Sequence, residues 1–360
     1  MNRSELESAV HMGQILAGES FAGADLRGAK LTGAVFERVS FEGANLAEAD
    51  LSESIFSECG FTGADLRAAR LHMARFNRCA LSEARLEDAV ASGVLFEGCA
   101  LVGISFEGGT LAHAGFSNSN LAGARFAGTV PEMAVFYECT LDGVDLSQAH
   151  LLGTTLYGAQ LSTARLDRVK MDRTILVGAS LKGQSLAGLH LHHVQLMDAD
   201  LSGADLRGAD LTQSNFKGAR LAAAEFDDVR AEQCLFVEAK LTEASFKRAK
   251  LARSLFVDVD ARRADFSGSD LTHAVFHRAR CEGTSFRDAR LHEADLSHAN
   301  LSFADLRGAN LYRTRLHAIV DEDTLFGPGR AVALSTDAPL ARAEAFRAPA
   351  LSRPTPEETA

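Results

Sequence analysis

"SFAGADLRGAKLTGAVFERVSFEGANLAEADL" runs from Ser20 to Leu51, and every fifth residue in it is apolar and large: Phe21, Leu26, Leu31, Phe36, Phe41, Leu46 and Leu51. Followed outward, this column of central residues holds without an insertion from Leu16 to Leu316, and the next step lands on Asp321. Only Ala91, Pro131, Met171, Ala231, Ala261 and Cys281 depart from Leu or Phe. The position two before each centre is Ala, Ser, Thr, Cys, Val or Gly from Glu19 onward, apart from Glu19 itself, Ile104, Gln184 and Leu189.

Neither regular element can use a period of five. On a helix, at about 100° per residue, the apolar column would drift by about 140° per repeat. On a flat strand an odd period would put successive centres on opposite faces. The pattern suits a chain that turns a corner every five residues, four sides making one square coil. The centre and the residue two before it then face inward, and the other three positions face solvent. Stacked about 4.8 Å apart, about 15 such coils make a rod of about 70 Å. A second period supports the square section. Phe36, Phe56, Phe76, Phe96, Phe116 and Phe136 recur every 20 residues, and Phe216, Phe236, Phe256 and Phe276 resume the series on the same face after Leu156, Leu176 and Leu196. Nineteen of the 22 Phe residues occupy centres, so the core takes up nearly all the aromatic content.

The runs "GADLRGADL" (Gly203–Leu211) and "FADLRGANL" (Phe303–Leu311) resemble the motif A(D/N)LXX of the pentapeptide-repeat family. The resemblance covers roughly residues 16–316. It implies an all-β fold, a right-handed quadrilateral parallel β-helix, and it implies little about function, because the motif serves structure. The expected organisation is a capping helix over 1–15, the repeat array over 16–316, a cap and helix over 317–348 and a disordered tail over 349–360. Within "RSELESAVHMGQIL", Ser4 and Glu7 fit a capping box, with Leu6, Val10 and Ile15 as the apolar side. Beyond Leu316, the residues Ile319, Val320, Leu325 and Phe326 are expected to plug the last coil, Gly327, Pro328 and Gly329 to turn, and "STDAPLARAEAFRA" to form a helix capped by Asp337. Pro131, a centre that cannot donate to a ladder, predicts a bulge or widened turn near residues 129–133.

The net charge of −11 argues against a nucleic-acid binder that works through a basic surface, so no direct nucleic-acid binding is expected. Charge is slightly uneven: 16 acids and 10 bases in residues 1–130, against 12 acids and 14 bases in 231–316. Both signs are mixed throughout, which describes a solvated surface rather than a directed field. No run of about 18 apolar residues predicts a membrane span, and the first twenty residues lack the apolar core of a signal peptide. A cytoplasmic protein is expected.

Chemistry-bearing residues yield no catalytic set. Cys59, Cys79, Cys99, Cys139 and Cys234 fall at the small inward position and Cys281 at a centre. They invite a soft-metal ladder or disulfides between coils, but no CxxC spacing occurs, and buried thiols filling sites otherwise held by Ala or Val account for them. "LHLHHVQL" sets His190, His192 and His193 outward around Leu191. Two imidazoles on one side can chelate a metal. No carboxylate or Cys is held at a fixed spacing beside them in the sequence, so a solvated polar face is the preferred reading, with no cofactor. A regular rod offers no cleft to perturb paired carboxylates, and an enzyme is not expected.

The outward positions are more informative. On the face of the Phe series stand Val35, Ile55, Leu95, Val135, Ile175, Leu235, Leu255 and Val275 just before the centre, and Tyr137, Tyr157, Val177, Met197, Val237 and Val257 just after it. The position before the centre on the other three faces has only Val90 and Val130 as large aliphatics. β-branched residues favour strands anywhere, which does not explain confinement to one face. These residues are the candidate interface, for a protein partner, a second copy in a homodimer, or a terminal segment folded back. Two function classes follow. One is a non-enzymatic interaction scaffold. Here "LESAVHMGQILAGESFAGADLRGAKL" and the unbroken array resemble the pentapeptide-repeat accessory proteins of bacterial type VI secretion systems, although the N-terminal domain usual in those proteins is missing. The other is a DNA mimic that inhibits or protects a type II topoisomerase such as DNA gyrase, as the quinolone-resistance pentapeptide proteins do. Against it, this chain is longer, lacks their loop insertions and has a weak charge field.

Overall fold

The computed structural model describes residues 1–345 of the 360. The chain winds into a parallel β-solenoid of about 16 turns with two short helices. Every centre from Leu16 to Leu316 is buried, Pro131 included. Each except Leu161 is followed two residues on by a corner residue with positive φ, from Gly18 (70°) and Arg38 (53°) to Ala318 (50°). Most corners are closed by an i+3 bond, as in Ala24 N–H to Phe21 C=O at 3.0 Å, but those that follow the three-residue strands, such as the corner after Phe36, have none. Positive φ at that place with this bond is the mark of a type II turn, which explains why Gly recurs in the motif. Thr163 alone stands at a corner without positive φ. Its branched Cβ disfavours that conformation, and its hydroxyl accepts from Gly143 N–H at 3.0 Å instead.

Between corners at most three residues stay extended, so the strands are very short. Ile15–Ala17, Val35–Glu37, Ile55–Ser57, Arg75–Asn77, Leu95–Glu97, Gly115–Ser117, Val135–Tyr137 and Thr155–Leu156 form one eight-stranded sheet. The register is 20 residues throughout, Phe36 on Phe56 and Phe56 on Phe76. His150–Leu152, Lys170–Asp172 and His190–His192 form a three-stranded sheet, and over most of the remaining surface single bridges carry the ladder at the same offset, for example Asp25 to Asn45 and Asp205 to Glu225. A residue just before a centre uses its side chain as well as its backbone. Asp65 Oδ1 accepts from Arg67 N–H at 3.2 Å, and Asp205 Oδ1 from Arg207 N–H at 3.0 Å. The Asp or Asn of the motif therefore satisfies a backbone donor at the start of the corner.

Inside, Phe rings stack along the axis. Phe56 and Phe76 are 4.7 Å apart and 13° from parallel. Rings on adjoining faces meet edge-on, Phe36 against Phe41 at 5.2 Å and 85°. The second Phe column changes face along the rod, from Phe41 and Phe61 to Phe106 and Phe126, and on to Phe226, Phe246, Phe266 and Phe286. Inward hydroxyls and thiols bond the backbone of the coil before, as Ser54 does to Leu31 C=O at 2.7 Å and Cys79 to Phe56 C=O at 3.4 Å. All six cysteines are free thiols, and burial pushes the Cys234 thiol up to about 12. The misfit Gln184 serves the same purpose at greater length, its amide donating to Leu161 and Ala164 C=O at 2.6 and 2.9 Å.

Pro131 produces no bulge. His150 N–H still reaches Thr129 C=O at 2.9 Å, Met133 N–H reaches Leu152 C=O at 2.8 Å, and Ala134 closes the corner on Pro131 C=O. The proline has no N–H to give, and the ladder is thinner just before it: Val130 N–H and Leu111 N–H make none of the backbone bonds seen at other coils, although Thr110 and Val130 stay in register. Thr154 Oγ1 also donates to Pro131 C=O at 2.7 Å.

The two ends depart further from expectation. Helix α1 (Arg3–His11) is capped by Asn2 with Glu5, not by Ser4 with Glu7. Leu6 and Ala9 are buried against the first coil, whereas Ile15 belongs to a strand and is exposed. Glu7 reaches the first coil instead. Its Oε1 accepts Lys30 N–H at 3.0 Å, and Arg3 donates to Arg27 and Gly28 C=O. These bonds satisfy backbone groups that the first coil would otherwise leave open. At the other end the repeat misses one step at Asp321 and regains its phase at Phe326, where Leu325–Phe326 pairs with Asp305–Leu306. Val320 and Leu325 point outward and plug nothing, while Ile319 and Phe326 pack on the core. Pro328–Val332 is a 3-10 turn, after which Leu334 pairs with Arg315. Helix α2 (Ala338–Ala345) follows, with Asp337 Oδ1 accepting Leu340 N–H at 2.9 Å. The tail expected over 349–360 lies outside the described residues.

Candidate interaction surface

A strand that alternates in and out presents the neighbours of each buried centre to solvent. Ile55, Leu95, Val135, Tyr137, Tyr157 and Leu235 are exposed, Tyr157 by 58 % and Leu235 by 37 %. Val35, Ile175, Val177, Met197, Val237, Leu255, Val257 and Val275 are half-buried, covered in part by their neighbours one coil away. The register brings them into rows: Val35 on Ile55, and Leu235 on Leu255 on Val275. Leu95 lies over Gly115, where a Cβ would meet its Cδ2 at 2.7 Å, so the missing side chain of that coil is covered.

The stripe is not continuous. Arg75 interrupts it, and Gln195 and Asn215 break it again with an amide pair at 3.3 Å. Three stretches result: Val35 with Ile55, one from Leu95 to Met197, and a denser one formed by Leu235, Val237, Leu255, Val257 and Val275. Beyond Val275 the same face turns polar through Asp295, Ser297, Arg315 and His317. Helix α2 folds back over this polar end and leaves a cavity of about 660 Å³ lined by these four residues, His277, His298, Leu340 and Glu344 among others. Glu344 is clamped between His317 Nε2 at 3.1 Å and His298 Nε2 at 3.3 Å. Because His317 Nδ1 accepts Asp337 N–H at 3.1 Å, its proton sits on Nε2 and is directed at Glu344. A terminal segment thus covers part of this face, and the segment between Leu235 and Val275 does not line that cavity.

The charged positions answer the other functional class. Acids are matched by bases one coil on: Asp50 with Arg70, Asp145 with Arg165, Asp200 with Arg220, Asp228 with Arg248 and Asp258 with Arg278, at 2.6 to 3.7 Å. The histidines near Leu191 acquire a neighbour that the local sequence did not show. Asp210 pairs with His190 across the coils, and its Oδ2 lies 2.9 Å from His192 Nε2. His193 faces away, toward Gln213 Oε1 at 2.7 Å. The signal was available as an offset of 20 rather than as a spacing within one segment.

The pentapeptide repeat region model matches residues 29–106, 69–146 and 209–286, and the model of eight pentapeptide copies matches 134–168, 164–203, 174–213 and 274–313. The chain belongs to the pentapeptide-repeat family. Similar solved structures include QnrB1, a plasmid-mediated fluoroquinolone resistance protein, at 24 % identity over 54 % of this chain and 92 % of that one, with a TM-score of 0.35. They also include HetL from the cyanobacterium Nostoc, a pentapeptide repeat protein involved in heterocyst differentiation regulation, at 26 % identity over 88 % and 97 %, with a TM-score of 0.19. A third is a pentapeptide repeat protein of the Arabidopsis thaliana thylakoid lumen, at 20 % identity over 41 % and 72 %, with a TM-score of 0.19. No curated protein matches the sequence. Pentapeptide-repeat proteins are generally structural or interaction proteins rather than enzymes. No helix among the described residues is long and apolar enough to cross a membrane.

Proposed function

We propose that this pentapeptide-repeat protein is a non-enzymatic scaffold that binds a protein partner, or a second copy of itself, through the apolar stripe. The observation that carries this is the segment Leu235, Val237, Leu255, Val257 and Val275, apolar outer positions crowded on one face of a solenoid whose other outer positions are largely polar. Apolar patches on monomers are usually confined to a few hundred Å² or serve a function. The specific role we propose within this class is that of a type VI secretion accessory protein, supported by the lead-in before the first coil and the unbroken array. The topoisomerase-directed alternative requires an acidic surface that imitates phosphates. The ion pairs along the rod support the scaffold reading, since they match many of the acids with bases.

Replacing Leu235 and Leu255 together with Lys leaves every inward residue in place. Light scattering should show a lower mass for the double variant than for the parent, with an unchanged circular dichroism spectrum. A parent that is monomeric at all concentrations would exclude self-association and leave a partner of different sequence as the occupant. A gyrase supercoiling assay tests the alternative: inhibition that persists in the double variant would favour it over the scaffold.

A further inference from the structure

We propose that His190, His192 and Asp210 bind a divalent transition-metal ion. His190 and His192 flank the buried Leu191 in the strand His190–His192 and so project from the same outer side. The next coil sets Asp210 directly beside His190. One ligand atom from each of the three lies within 4.8 Å of the others. Two ligand atoms held at about 2.0–2.1 Å from one ion stand about 3 Å apart, and His192 Nε2 is 2.9 Å from Asp210 Oδ2.

The state of these atoms favours a cation. His192 Nε2 is sealed from solvent and, among the described residues, makes no hydrogen bond. Asp210 Oδ2 is near it but off the line along which a ring N–H would donate. A metal on the nitrogen lone pair, with the carboxylate oxygen beside it, uses both atoms. Asp210 is prepared for this. Thr212 donates twice to Oδ1, from its backbone at 3.2 Å and its hydroxyl at 2.7 Å, which orients the carboxylate and leaves Oδ2 free. The competitor is Arg230, whose Nε stands 3.7 Å from the same oxygen. Two imidazoles and one carboxylate form a donor set for Zn²⁺, Ni²⁺ or Cu²⁺ rather than Mg²⁺ or Ca²⁺, with the remaining positions open to water. The second histidine group, His298, His317 and Glu344, is unsuited to the same role, because its proton on His317 Nε2 already faces Glu344.

The test is titration of the tag-free full chain with Zn²⁺ by calorimetry and with Co²⁺ by its visible absorption. One ion per chain is expected, with a Co²⁺ spectrum of mixed nitrogen and oxygen ligation. His192→Ala and Asp210→Asn should each weaken binding at least about tenfold. Arg230→Ala should tighten it, a change that a purely structural effect of these positions would not give. His298→Ala should leave it unchanged. Binding that survives His192→Ala, or that disappears in His298→Ala instead, would overturn the assignment, as would no binding at all by the parent.

Discussion

Each residue in the repeat is governed by one question, whether it faces the axis or the solvent. Phe96 and Glu97 are adjacent in sequence and opposite in that respect. Phe96 is 1 % exposed and stacked between Phe76 at 4.9 Å and Phe116 at 5.3 Å, with Phe106 edge-on at 5.9 Å. Phe96→Ala should cost about 3–5 kcal/mol, because rigid coils above and below cannot close the cavity. Glu97→Ala should stay within about 0.5 kcal/mol. Denaturant unfolding of the two variants checks the contrast, and equal midpoints would contradict the inward placement of Phe96.

The corner is the element of this fold, more than the strand. Gly208 occupies one with φ of 65°, and a Cβ built there meets nothing within 4 Å. Any cost of substitution is therefore one of backbone conformation rather than of contact. Gly208→Val should lower stability by about 1–2 kcal/mol, since a branched residue resists positive φ, and Gly208→Asn should cost much less. Thermal melts of both variants measure this. A Val variant as stable as the parent would mean that the corner can switch, as the corner at Thr163 does. The motif itself was legible in the sequence, but its corner chemistry was less so. Arg and Glu occupy many of the same positions at positive φ, and these residue types do not announce a turn.

At the scale of the molecule the corner carboxylates act together. Asp65, Asp205 and Asp305 each have a guanidinium two residues on, Arg67, Arg207 and Arg307, that holds the carboxyl below its ordinary range. A carboxyl depressed in the folded state adds stability above its unfolded value of about 3.9 and loses it as the pH falls through the lower folded value. The melting temperature should therefore hold between about pH 7 and 5 and decline below about pH 4, less steeply in high salt because the guanidinium groups are half-exposed. A melting temperature that rises below pH 4 would show that these contacts do not stabilise the fold.

The sequence by itself determined the period of five, the inward column from Leu16 to Leu316 and the vertical Phe series, because each follows from local chain geometry repeated without error. It also located the apolar positions of the stripe, though not the break at Gln195 and Asn215. The tertiary structure decided whatever depends on a single side chain that is not repeated. Asn2 rather than Ser4 caps α1, since Glu7 is drawn to the open edge at Lys30. Phe326 restores the phase lost at Asp321, since the ladder of the preceding coil is there to pair with it. Asp210 joins His190 and His192 only once the 20-residue register is set, because neighbours across coils are distant along the chain.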